Sequence, residues 1–259
     1  MKFILQLLLS FLLLGSSSLL LAKDDKEISK SYRKEAKRFR FRVKTQVKFP
    51  AQIRGSVLPV SAVEEELERF FQALNELGEG FVRKSGLKYV VICNNLTLNG
   101  MRCAGVAAGD TIYMAKGFSK RTVYHEMFHI FDPKRENKKW QRLNQRKFRY
   151  RGIDFPDRPI SKKKKKDLQE HYSKHTQDFS RDFVTRYAQS NEVEDRAETF
   201  ACMIDEGRRF KQRCNKSKVL FNKMLFIVDM TDRSSLLGKD YWCNKLGMDS
   251  FPKAQKSGD

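Results

Sequence analysis

The chain is predicted to fold as an α+β domain, with a small mixed sheet in its first half and a mainly helical lobe in its second. Three observations carry this expectation. The stretches RFRFRVKTQVKF and LKYVVIC read at strand period, a helix apolar nearly all round follows Ser119, and beyond Asn191 apolar residues recur at helical spacing.

The first 22 residues, MKFILQLLLSFLLLGSSSLLLA, carry one Lys, an apolar run and small residues. That is the build of a secretory signal, residues 1–22, cut after Ala22 or nearer Ser16 and Ser18. The run also approaches the ~20 residues that span a bilayer, so a retained anchor is the alternative to a secreted or periplasmic protein. No later run is apolar enough to cross a bilayer as a helix. Residues 23–37 form a charged leader, flexible or loosely helical, and 38–259 are expected to be one domain.

In RFRFRVKTQVKF, Phe39, Phe41, Val43, Val47 and Phe49 alternate with Arg38, Arg40, Arg42, Lys44 and Lys48, one apolar and one basic face of a strand that Pro50 ends. Ser61 to Phe81 reads as a helix with a Ser61/Glu64 capping box and an apolar face of Val63, Leu67, Phe70, Phe71, Leu74 and Leu77. Leu87 to Cys93 is a buried strand, and Asp110 to Met114 a second one near the mouth of the site described next, able to pair with an extended peptide.

After the cap Ser119, the helix contains H-E-x-x-H at His125, Glu126 and His129. Histidines four apart on a helix point the same way and can share one metal ion, while the glutamate faces the same cleft. Zinc suits two imidazoles, lowers the pKa of a bound water to about 7, and lets a nearby carboxylate take that water's proton. Val123, Tyr124, Met127, Phe128, Ile130 and Phe131 bury the helix, so its polar residues need partners.

Residues 132–180 read as a basic insertion near the cleft. Its Trp140, Phe148 and Tyr150 anchor it to the core, and Lys162 to Lys166 form a solvated loop. His171 and His175 are a second i,i+4 pair without the adjacent Glu; surface residues are the default, a role beside the cleft the alternative.

A catalytic zinc takes three protein ligands and one open position. Downstream, Ser190 or Asn191 can cap a helix on which Glu194 and Glu198 lie one turn apart. Either can bind the metal while the other accepts a hydrogen bond from a ligating histidine's second nitrogen, and Glu192 and Asp195 are close in sequence.

H-E-M-F-H followed by Y-A-Q-S-N-E-V-E-D-R-A-E-T-F-A resembles the gluzincin metallopeptidases, in particular the catalytic domain of anthrax lethal factor and the bacterial "putative zinc-binding metallopeptidases". The resemblance covers roughly Cys103 to Met230 and is strong at the motifs. It implies a zincin-like domain with one catalytic zinc ion on His125, His129 and Glu194, with Glu198 as the supporting carboxylate. It also implies Glu126 as general base and Tyr187, seven residues before Glu194, as an oxyanion donor. Thermolysin-like relatives use a dedicated histidine and a more elaborate downstream lobe, which this chain does not match.

The expected activity is therefore hydrolysis of protein or peptide substrates. A basic polyanion-binding protein with a structural or vestigial zinc site, and a zinc amidase acting on cell-wall peptides, are the alternatives. The net charge of +21 favours contact with an anionic polymer or cell surface, no specific nucleic acid is expected, and the chain is expected to be a monomer. Cys93, Cys103, Cys202, Cys214 and Cys243 fit an oxidising compartment with up to two disulfides, Cys93 with Cys103 first and Cys214 with Cys243 second; Cys202, buried and free or paired with a late cysteine, leaves other pairings open.

Overall fold

The structure, a computed structural model, describes residues 28–132, 138–151 and 180–251. The signal, residues 23–27 of the leader, Lys162 to Lys166, His171 and His175 lie outside the described residues. Helix α1 (Lys30–Arg38) leads through strands β1 (Arg42–Lys44) and β2 (Ile53–Val57) to helices α2 (Val60–Leu77) and α3 (Glu79–Ser85). Strands β3 (Tyr89–Leu98), β4 (Met101–Arg102), β5 (Gly105–Ala108) and β6 (Thr111–Ala115) follow, then α4 (Lys120–Phe131) and α5 (Lys138–Gln141). Helices α6 (Glu192–Glu206), α7 (Arg208–Cys214), α8 (Lys218–Arg233) and α9 (Lys239–Leu246) complete an α+β fold with a mixed sheet and a mostly helical C-terminal region.

Strand β3 is the spine of the sheet. It pairs in parallel with β1 (Arg42 opposite Tyr89) and with β6 (Tyr89 opposite Thr111 through Cys93 opposite Ala115), and antiparallel with β2 and β4. Strand β5 pairs antiparallel with β6 and ends the path β1-β3-β6-β5. Successive β3 side chains point to opposite faces. Val90 and Ile92 therefore join the main core, while Val91 and Cys93 join a smaller cluster with Ile53, Leu96, Val106 and Tyr113. The main core collects the expected face of α2 together with Met127 and Phe128 of α4 and Phe200 of α6. Each such Leu or Phe contributes about 1.5–3 kcal/mol on burial.

Several local expectations are corrected. The leader's second half is the regular helix α1, held by buried Ile28 and Ala36. Phe39, Phe41 and Val43 are buried as the alternation predicts, but only Arg42–Lys44 pairs as a strand. Helix α2 starts at Val60 after Pro59 with no side-chain cap, so the Ser61/Glu64 box does not form; Glu64 instead accepts from the Ser29 backbone N–H. Gly78, at φ 82, separates α2 from α3. Strand β6 is interior, flanked by β3 and β5 among the described residues, so it is not the edge strand that the expected peptide pairing needs; β5 ends the path.

All five cysteines are free thiols, so neither expected disulfide is present. Strand β3 runs on past Cys93 to Leu98 and turns at Asn99–Gly100, which places Cys103 against Leu96, whose carbonyl accepts from its backbone N–H. Cys93 instead packs toward Gly55 and Phe49.

Candidate metal centre

Ser119 opens α4 by accepting from the Thr122 N–H (3.2 Å), which sets the register of the helix. His125 and Glu126 are buried and His129 is half-buried, one turn on. Asn191, of the two candidate caps, opens α6 by accepting from the Glu194 N–H (2.9 Å), and α6 packs alongside α4. Here the two glutamates divide. Glu194 Oε2 lies 3.1 Å from His125 Nε2 and 3.3 Å from His129 Nε2, and the two nitrogens are 2.9 Å apart. Glu198 Oε1 lies 2.9 Å from His125 Nδ1, the other side of the same ring.

Three donor atoms held on a common tetrahedral centre about 2.0–2.1 Å away stand roughly 3.3 Å apart. The His125, His129 and Glu194 donors match that spacing, and among the described residues they form a group able to hold a metal ion. Two imidazoles and a carboxylate are zinc donors, and Glu198 on Nδ1 turns Nε2 of His125 toward the shared point.

The electrostatics say the same. Burial alone would depress the His125 pKa, but hydrogen bonds to Glu194 and Glu198 override it and push it up to about 10. Burial opposes the charge on Glu194, yet His129 and His125 hold its carboxyl well below the usual range. Glu198 is also lowered against burial, by His125, by the Thr185 hydroxyl it accepts from (2.7 Å) and by Arg121 at 3.4 Å. The cluster is thus built to receive positive charge at the imidazole nitrogens.

Glu126 differs. Burial raises its pKa despite the pull of His125 and His129, and the Ala107 backbone of β5 hydrogen-bonds it. Gly105 of β5 makes this approach possible, since a Cβ there would stand 2.7 Å from Glu126 Cγ and 2.8 Å from Oε1. Tyr187 lies on the turn before α6, half-buried, its ring centroid 6.1 Å from that of His125.

Glu192 and Asp195 face away from the histidines. Glu192 accepts from Gln141 (2.6 Å). Asp195 is fully buried against Lys223 (2.8 Å), the Trp140 N–H (2.9 Å) and the Tyr150 hydroxyl (2.7 Å). Trp140, Phe148 and Tyr150 thus turn inward, as anchors. Sequence reading missed Gly105, Thr185 and Arg121. Only Arg121 had a signal, standing one turn before His125 on the same helix face.

A small mixed sheet, a helix carrying two histidines and a second helix completing a three-donor cluster make up a zincin-like metallopeptidase domain. The chain belongs to the family described as "Putative zinc-binding metallo-peptidase", whose model matches residues 94–233. The fold is also similar to the crystal structure of a "putative zinc-binding metallo-peptidase" from Bacteroides caccae ATCC 43185, with a TM-score of 0.54 and 12% identity over 85% of this chain and 92% of that one. Among curated proteins none matches.

Proposed function

We propose that the chain is a secreted or periplasmic zinc peptidase of the gluzincin type, with the lethal-factor-like arrangement of its downstream helix, acting on protein or peptide substrates. The observation that carries this reading is the meeting of His125 Nε2, His129 Nε2 and Glu194 Oε2 beside a buried Glu126. His125, His129 and Glu194 would hold one zinc ion, and Glu198 orients His125. Zinc bound there supplies Lewis acidity and brings the pKa of a bound water to about 7. Glu126, its pKa raised by burial, accepts the proton of the attacking water and returns it to the leaving amine. Tyr187 donates to the developing oxyanion. The outer edge of β5, next to Glu126, offers backbone groups to an extended peptide.

The test is Glu126→Gln. Turnover of a peptide library should vanish while bound zinc stays stoichiometric, and cleavage at the parental rate would overturn the mechanism. Repeating the profile with anionic polymers and with cell-wall peptides distinguishes peptide hydrolysis from a binding role and from amidase activity. Metal analysis separates the two glutamates: Glu194→Ala is expected to lose zinc, whereas Glu198→Ala weakens it by about 10–100-fold.

A further inference from the structure

Residues 183–190 carry two groups of the site, yet they contain neither a strand nor an α-helix. Thr185 donates to Glu198 Oε2 (2.7 Å), and the Tyr187 ring stands beside that of His125. Within the turn, the Ala188 N–H binds Thr185 Oγ1 (3.1 Å) and the Ser190 N–H binds the Tyr187 carbonyl (2.9 Å). Phe183 and Val184 are buried, so their carbonyls need donors from another part of the chain.

Arg213 supplies them. Gly207, at φ 52, turns the chain from α6 into α7, and Arg213 on α7 reaches back to the end of α6. Its Nη1 donates to both carboxylate oxygens of Glu206 (3.1 and 3.2 Å), and its Nη2 donates to the Phe183 (3.2 Å) and Val184 (3.0 Å) carbonyls. A planar guanidinium can serve both sides at once, whereas an ammonium is a point charge. Glu206 in turn pairs with Arg121 (3.6 Å), and Arg121 with Glu198 (3.4 Å). Arg213, Glu206, Arg121, Glu198 and Thr185 therefore form a ring of contacts that the backbone from Thr185 to Val184 closes. The Arg213 side chain is 34% exposed, so its ion pair with Glu206 adds little stability by itself. What it fixes is where the turn sits against α4 and α6.

We propose that Arg213 is a positioning residue for the hydrolytic site, clamping the 183–190 turn so that Tyr187 meets the developing oxyanion. The proposal rests on the peptidase reading given above and deepens it. An oxyanion donor acts on the transition state and not on bound substrate, so a displaced Tyr187 lowers kcat and leaves KM.

The test pairs amide hydrogen exchange with kinetics on the full chain. In Arg213→Ala the amides of residues 183–190 are expected to exchange faster, those of α4 to hold, and zinc to stay stoichiometric. On a peptide substrate kcat should fall by about 10–100-fold at constant KM. The fall should be much smaller in a Tyr187→Phe background, because the two changes remove one interaction. Arg213→Lys keeps the charge beside Glu206 without the fork and is expected to recover little of either signal. Arg209→Ala, exposed on the same helix, should change neither. Unchanged exchange in 183–190, an equal kcat loss with and without Tyr187, or full recovery in Arg213→Lys overturns the proposal. Absence of Glu126-dependent cleavage in the parent sinks the peptidase reading instead, and exchange of 183–190 then still decides whether Arg213 holds the turn.

Discussion

Glu126 must stand beside the shared metal position without a competing side chain, and Gly105 provides that space at a cost only a close approach explains. Gly105→Ala places a methyl carbon inside contact distance of the carboxylate and moves it. A displacement of that order lowers kcat by about 10–100-fold. Zinc stoichiometry should be unchanged, and steady-state kinetics with metal analysis checks both. Arg121 acts at one remove: it stands 3.4 Å from Glu198, which orients His125. Arg121→Ala is expected to weaken zinc binding less than Glu198→Ala does, measured by competition with a chelating dye.

Helix α6 works on two sides at once. One side presents Glu194 and Glu198 to α4; the other buries Asp195 against Lys223, Trp140 and Tyr150. This anchoring holds the rotation on which the metal geometry depends. Removing one partner of a fully buried pair leaves an uncompensated charge, so Lys223→Ala should destabilise the fold by about 3–5 kcal/mol in urea unfolding. Replacing the pair by Asp195→Asn with Lys223→Met should cost less, because no lone charge remains. At the start of the helix, Asn191→Ala removes the bond to the Glu194 N–H and should cost about 1 kcal/mol, and it frees the backbone of the residue facing the histidines.

Across the whole molecule, the metal centre joins the strand-rich first half to the helical second half, since His125 and His129 belong to α4 and Glu194 to α6. Zinc should therefore stabilise the folded chain as a unit. At free zinc about 100-fold above its Kd the gain is about 2.7 kcal/mol, seen as a rise in Tm that a chelator reverses. Glu194→Ala should lose most of that rise, and an equal rise in the variant would exclude Glu194 as a ligand. Apolar alternation and helical faces made both halves legible in the sequence: the α2 face and Phe39, Phe41 and Val43 are buried as read. Edge order was not legible, because β5 is a short Gly- and Ala-rich stretch with little period of its own.

What the sequence by itself determined is local. The helical repeat sets His125, Glu126 and His129 in one cleft, Ser119 starts the first helix, Ser190 or Asn191 the second, and the spacing of Glu194 and Glu198 puts both on one face. What only the tertiary structure decided is how separate elements meet. The rotation of α6 against α4 sends Glu194 to Nε2 and Glu198 to Nδ1 of His125, and β5 rather than β6 lies at the edge beside Glu126. The β3 turn at Asn99–Gly100 keeps Cys103 from Cys93. Each of these depends on packing between segments distant in the chain, where side-chain shape and strand register act and sequence period does not.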